Sequence, residues 1–292
     1  MCDNDSLDDM TEYQLRAGVS RRQFGAITLG AGALAMLPEF ASAAAMETTD
    51  SEIDIKTPDG TADAYFVHPA KGKYPAVLIW PDIFGLRPTF RQMGKRLAES
   101  GYAVLVVNPF YRTKKAPTAP EKADFSDPET RKALMALSGT LSPQTAEVDA
   151  KAFVAWLDKQ AAVDTKKKMG TTGYCMGGPY TMRTAALFPD RVGAGGSFHG
   201  GGLVTDKPES PHLLVPKMKA RFLFAIAEND DQRQPEAKDV LKKAFADAKL
   251  PAEIEVYAAQ HGWCPPDSQV YNADLAEKAW SRLLVTFKAG LV

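Results

Sequence analysis

The chain has 292 residues, 45% hydrophobic and 24% charged, which excludes a disordered or collagen-like polymer and fits one or two soluble globular domains. With 35 Lys and Arg against 36 Asp and Glu the net charge is −1, so no basic footprint argues for nucleic acid. Three cysteines are too few for a disulfide scaffold.

The first informative stretch is Ser20-Arg21-Arg22-Gln23-Phe24, followed by the apolar run Gly25–Leu37 and the small residues Ala41-Ser42-Ala43. Paired arginines, a short apolar run and an A-x-A site together predict a twin-arginine signal, cleaved near residue 45. The run is short, rich in Gly and Ala, and ends at Pro38, so no stable membrane anchor is expected. The expected partner of this segment is the twin-arginine export machinery, and the expected location of the remaining chain is the periplasm. Residues 46–292 then form one domain, and Cys2 leaves with the signal.

Downstream, short apolar runs alternate with amphipathic stretches. Ser51–Thr57 and Ala62–Val67 read as strands joined by the turn Pro58-Asp59-Gly60. Ala76–Trp80 and Ala103–Val107 are continuous apolar runs, as buried parallel strands require. Between them Phe90, Met93, Leu97 and Ala98 recur at helical spacing, ending at Gly101. The proline-bearing stretch Arg112–Thr130 reads as a surface excursion, and Val148–Leu157 as a further helix. Strands follow near Lys168–Gly173, Val192–Phe198, Arg221–Ala227 and Glu253–Tyr257, and Leu275–Phe287 closes the chain as a helix. This alternation predicts an α/β fold with a doubly wound, mostly parallel sheet and an antiparallel N-terminal edge.

The most specific motif is Gly173-Tyr174-Cys175-Met176-Gly177-Gly178, where a strand gives way to a helix. It has the G-x-nucleophile-x-G form of a nucleophile elbow, whose tight turn demands glycine at the flanking positions. The helix N-terminus beyond it favours a thiolate at Cys175. In folds of this kind an acid and then a histidine follow the nucleophile in the chain. Glu228-Asn229-Asp230-Asp231 ends one strand and Gln260-His261-Gly262-Trp263 leaves the last, so the predicted set is Cys175, Asp230 and His261. Asp231 is the alternative to Asp230 as the orienting acid.

His199 also ends a strand; as a base it would precede the acid, so it is read as a substrate contact in the same pocket. His68 and His212 are read as surface residues. Cys264 is a bystander thiol near the pocket, able in principle to form a disulfide with Cys175. No His/Cys/Asp spacing matches a zinc signature, and neither metal nor organic cofactor is expected.

On these residues the chain resembles the dienelactone hydrolase (carboxymethylenebutenolidase) family of α/β-hydrolases, from about Asp54 to Ala289. The resemblance is carried by the elbow, Asp82-Ile83-Phe84-Gly85, Asn108-Pro109-Phe110-Tyr111, Glu228–Asp231 and His261-Gly262-Trp263. It implies hydrolysis of a small-molecule lactone or carboxylic ester through an acyl-thioester on Cys175. The amides of Ile83 and Met176 would form the oxyanion hole. An acid at position 82 would pair with the resting thiol, although this chain has Asp where the family's best-known members have Glu. Those members also carry an arginine soon after the histidine, absent from Gly262-Trp263-Cys264-Pro265-Pro266. Arg112 beside Tyr111 is the expected replacement as carboxylate contact, with His199 and Trp263 completing the substrate wall. Two other readings remain open here: a non-catalytic ligand-binding pseudo-hydrolase and a thiol redox or transfer activity at Cys175.

Overall fold

The computed structural model describes residues 45–292; the signal read at Arg21-Arg22 lies outside them. Strands β1 (Thr48–Thr57) and β2 (Gly60–Pro69) form the leading hairpin. β3 (Ala76–Trp80), α1 (Pro88–Glu99) and β4 (Ala103–Val107) follow, then α2 (Pro128–Ser138) and α3 (Pro143–Leu157). β5 (Met169–Tyr174), α4 (Gly177–Leu187) and β6 (Val192–Phe198) build the centre. A 3₁₀ segment (Pro211–Lys217) leads into β7 (Arg221–Ala227), α5 (Glu228–Arg233), α6 (Ala237–Asp247), β8 (Ala252–Tyr257) and α7 (Ala273–Gly290).

The eight strands lie in the order β1-β2-β4-β3-β5-β6-β7-β8. β1 pairs antiparallel with β2 and β2 with β4, and the other pairs are parallel. This is the mostly parallel α/β sheet with an antiparallel edge that the apolar runs predict. β3 and β4 are buried at every position, because helices cover both faces of the sheet. Phe153, Leu157, Met182, Phe222 and Phe245 fill one side, under α3, α4 and α6. Phe90, Leu97, Tyr174, Leu283 and Phe287 fill the other, under α1 and α7.

Two elements differ from expectation. The excursion after Arg112 runs into α2, capped by the Asp127 side chain accepting from the Thr130 amide at 2.8 Å. Its apolar positions bury only Leu134 and Leu137, too sparse a stripe to stand out beside three prolines. The acidic run Glu228–Arg233 is a short helix rather than a turn, with its carboxylates at the positive N-terminal end.

The chain runs from β3 outward to β4, then crosses back to place β5 on the other side of β3. The direction in which successive strands are added to the sheet therefore reverses between β3 and β5, although the two strands are parallel. In open α/β sheets a crevice forms at that reversal, beyond the carboxyl ends of the strands. Asp82–Gly85 leaves β3 there, and Cys175 leaves β5.

Candidate active site

Cys175 has φ +52°, a left-handed backbone that a residue with a Cβ adopts only under constraint. Its amide donates to Phe198 O at 3.0 Å, and its own carbonyl accepts from the Gly178 amide at 3.1 Å. The turn is so tight that a Cβ on Gly173 would lie 2.0 Å from Gly177 O, and one on Gly177 would lie 2.2 Å from Trp80 O. The two glycines thus let α4 start directly against β3 and β5. The sulfur sits beside the N-terminus of this 11-residue helix, where the partial positive charge favours thiolate.

Asp230 and His261 arrive from different strands. The Nδ1–H of His261 donates to Oδ2 of Asp230 at 2.7 Å, and the backbone amide of His261 donates to Oδ1 of Asn229 at 2.8 Å. Asp231 instead binds the Lys238 ammonium at 2.6 and 2.8 Å. Of the two carboxylates, Asp230 is the one that meets the imidazole. With Nδ1 engaged, the ring's other nitrogen is directed away from the acid, the arrangement a histidine base requires.

The His199 ring packs edge-on against His261, with centroids 4.9 Å apart, and against Trp263 at 5.4 Å. It is fully buried, and burial, reinforced by the neighbouring His261, holds its pKa well below the usual imidazole value. Trp263 stacks on Tyr257 at 5.3 Å inside the core beside Ala279 and Leu283. His199 and Trp263, expected along the substrate wall, are both buried against the core. Both rings form an apolar floor behind His261, because the loop turns back into the core after Gly262.

Tyr111 and Arg112, expected as substrate contacts, are held in a buried ionic network. Arg112 donates to both oxygens of Asp149 at 2.7 and 2.9 Å and twice to Asp59 Oδ2 at 2.6 and 2.9 Å. The Tyr111 hydroxyl donates to Asp149 at 2.7 Å and meets the Thr57 hydroxyl at 2.8 Å. Asp149 on α3 is 1% exposed; burial raises its carboxyl above the usual range, against the Arg112 and Tyr111 hydrogen bonds. A buried carboxylate needs such partners, so these side chains stitch the β1–β2 turn to α3.

The oxyanion-hole candidates sit where the two loops meet. Ile83 lies in the turn closed by the Gly85 amide donating to Asp82 O at 2.9 Å. The side chains of Ile83 and Met176 share an apolar cluster with Phe84, Phe125, Leu134 and Met135. The excursion and α2 therefore supply an apolar wall that sequence reading missed. Its signal was the spacing of Leu134, Met135 and Leu137, hidden by the polar residues around them.

Asp82 was expected to pair with the resting Cys175 thiol. Its two oxygens accept from Arg87 at 2.7 and 3.0 Å, and Oδ1 also accepts from the Phe84 amide at 2.9 Å. Arg87 was not singled out from the sequence. Cys175 and Cys264 are both buried and are not joined in a disulfide, and burial pushes the Cys264 pKa well up. A cavity of about 210 Å³ between α1 and α7, bounded by Met93, Tyr174, Phe198, Cys264 and Trp280, lies behind the elbow and is not lined by Cys175 or His261. Among the described residues no group of three or more His, Cys, Asp or Glu is placed to hold a metal ion. Among the same residues no helix is long and apolar enough to cross a membrane.

Residues 62–291 match the model of the Dienelactone hydrolase family. A carboxymethylenebutenolidase of Rhodococcus opacus is 29% identical, over 69% of this chain and 75% of that protein. A Methylorubrum extorquens protein, provisionally named a carboxymethylenebutenolidase, is 28% identical over 96% of both chains. A Klebsiella pneumoniae structure, provisionally named a dienelactone hydrolase, superposes with a TM-score of 0.72 at 21% identity, over 82% of this chain and 98% of its own.

Proposed function

The chain belongs to the dienelactone hydrolase family, and from that premise we propose that it hydrolyses an uncharged carboxylic ester or lactone through an acyl-thioester on Cys175. The 2.7 Å hydrogen bond from His261 to Asp230, beside the glycine-bracketed Cys175, carries this reading. Cys175 as thiolate attacks the acyl carbon, and the oxygen of the tetrahedral adduct takes hydrogen bonds from the Ile83 and Met176 amides. The carbon–oxygen bond to the leaving group breaks, and His261 gives that oxygen its proton. Asp230 keeps the imidazole in the required tautomer throughout. His261 then takes a proton from water as the hydroxyl attacks the thioester carbon. The carbon–sulfur bond breaks, releasing the acid and restoring the thiolate–imidazolium pair. An uncharged substrate suits a wall of Ile83, Phe84, Phe125, Leu134, Met135 and Met176, with Arg112 committed to Asp59 and Asp149.

Single-turnover mixing with an activated aryl ester, acid quench and mass spectrometry tests the chemistry. An acyl adduct on the Cys175 peptide that forms and decays at the rate of turnover is expected. Hydrolysis without such an adduct, or acylation of another residue, would remove Cys175 from the mechanism. A folded protein that binds ester and never acylates would be a pseudo-hydrolase.

The same proposal includes export by the twin-arginine route, supported by Arg21-Arg22 and Ala41-Ser42-Ala43. Changing both arginines to lysine is expected to leave precursor-sized protein in the cytoplasm. Unchanged periplasmic accumulation would mean that another signal operates.

A further inference from the structure

Trp80 and Gly173 are register partners in the parallel pair β3–β5. Asp82 and Cys175 each stand two residues beyond them, so the two side chains leave the sheet at the same level. A bare carboxylate at that point opposes formation of a thiolate, since a nearby negative charge favours the protonated thiol.

Arg87 occupies the space between the loop after β3 and the loop after His261. Its Nε donates to Asp267 at 2.6 Å, Nη1 to Asp82 at 2.7 Å and to Gly85 O at 3.4 Å, and Nη2 to Asp82 and Asp267 at 3.0 Å each. All five guanidinium N–H groups are therefore used. The guanidinium also lies 5.3 Å from the Phe84 ring centroid and 4.8 Å from that of Phe90. Arg87 precedes Pro88, whose ring confines the preceding backbone to the extended region, and Arg87 has φ −146° and ψ 172°. That backbone projects the side chain off the start of α1 instead of along it. Asp267 lies six residues beyond His261, in a loop tied by the Ser268 amide to Pro265 O at 3.0 Å and by the Asn272 amide to Trp263 O at 3.1 Å.

We propose that Arg87 is a positioning residue: it neutralises the carboxylate of Asp82 by binding both of its oxygens, and it ties the oxyanion loop to the loop carrying His261. The inference rests on Cys175 being the nucleophile. Lysine cannot reproduce the two bidentate contacts, because a single ammonium lacks the planar fork.

Alkylation of Cys175 by iodoacetamide at pH 7, read at its own peptide by mass spectrometry, tests the first role without requiring turnover. Arg87→Ala is expected to slow labelling roughly tenfold, the effect of about one pKa unit from an uncompensated neighbouring carboxylate. Arg87→Ala with Asp82→Asn is expected to label within about twofold of the parent chain, since the charge is gone with its shield. Asp267→Ala tests the second role. It keeps the Asp82 pair, so labelling should be unchanged while kcat falls about tenfold and KM changes little, the pattern of lost positioning. Circular dichroism checks that each variant is folded, and Arg87→Gln serves if Arg87→Ala is not. Parent-like labelling in folded Arg87→Ala or Arg87→Gln, or slow labelling that Asp82→Asn does not restore, would overturn the shielding role. Parent-like kcat in Asp267→Ala would overturn the tie between the loops. Turnover surviving in Cys175→Ala would remove the proposed function while leaving the labelling pattern interpretable.

Discussion

Cys175→Ala is expected to lower kcat by on the order of 10³-fold or more, with circular dichroism and thermal midpoint close to those of the parent chain. The sulfur forms the covalent bond of the proposed mechanism, and no neighbouring group replaces it. The fold should tolerate the change because alanine retains a Cβ, so the cost of φ +52° is already present with cysteine. The volume lost is one sulfur atom. Cys175→Ser is expected to lose roughly 10²-fold, since a hydroxyl gains far less than a thiol from the helix N-terminus and depends wholly on His261 as base. More than a few per cent of parent activity in folded Cys175→Ala would show that the nucleophile lies elsewhere.

Gly177→Ala is expected to be among the most damaging single-methyl changes in the domain. The new Cβ would lie 2.2 Å from Trp80 O and 2.9 Å from Pro81 O, both backbone atoms at the end of a fully buried strand. Neither oxygen can yield without moving β3 or α4, and both are packed on two faces. A loss of about 4 kcal/mol is expected, on the scale of severe overpacking, with a fall in Tm of roughly 10 °C for a domain of this size. Gly139→Ala is the control: Gly139 has φ −63° at the end of α2, and its Cβ would come no closer than 3.3 Å to Met135 O. That change should stay within about 1 kcal/mol. Equal destabilisation in the two variants would refute the steric argument for the elbow.

Both predictions rest on features that were legible before any coordinates. The apolar runs Ala76–Trp80 and Ala103–Val107 announce buried strands because a strand covered on both faces has no position for a polar side chain. The glycines around Cys175 announce a tight turn because the space they need is set within five residues of chain. Asp230 and His261 were identifiable as candidates because each follows its own strand, and the carboxyl ends of parallel strands share one edge. The choice between Asp230 and Asp231 was not identifiable. Adjacent residues on a helical turn point about 100° apart, and only the placement of Lys238 and His261 decides which carboxylate meets which cation.

Arg112, Tyr111 and Arg87 mark the boundary more sharply. In the chain Arg112 is an arginine beside a pocket motif; in the fold it meets Asp59 and Asp149, 53 and 37 residues away. Arg87 and Asp267 are 180 residues apart, and nothing local to either distinguishes it from a solvated surface charge. Local sterics and hydrophobic periodicity act over a few residues, so the sequence by itself determined the succession of strands and helices, the strained elbow and the candidate acid and histidine. Pairing of charges depends on which distant segments the topology brings within about 3 Å. Tertiary structure alone therefore decided that Arg112 meets Asp59 and Asp149, that His199 packs between His261 and Trp263, and that Asp82 pairs with Arg87.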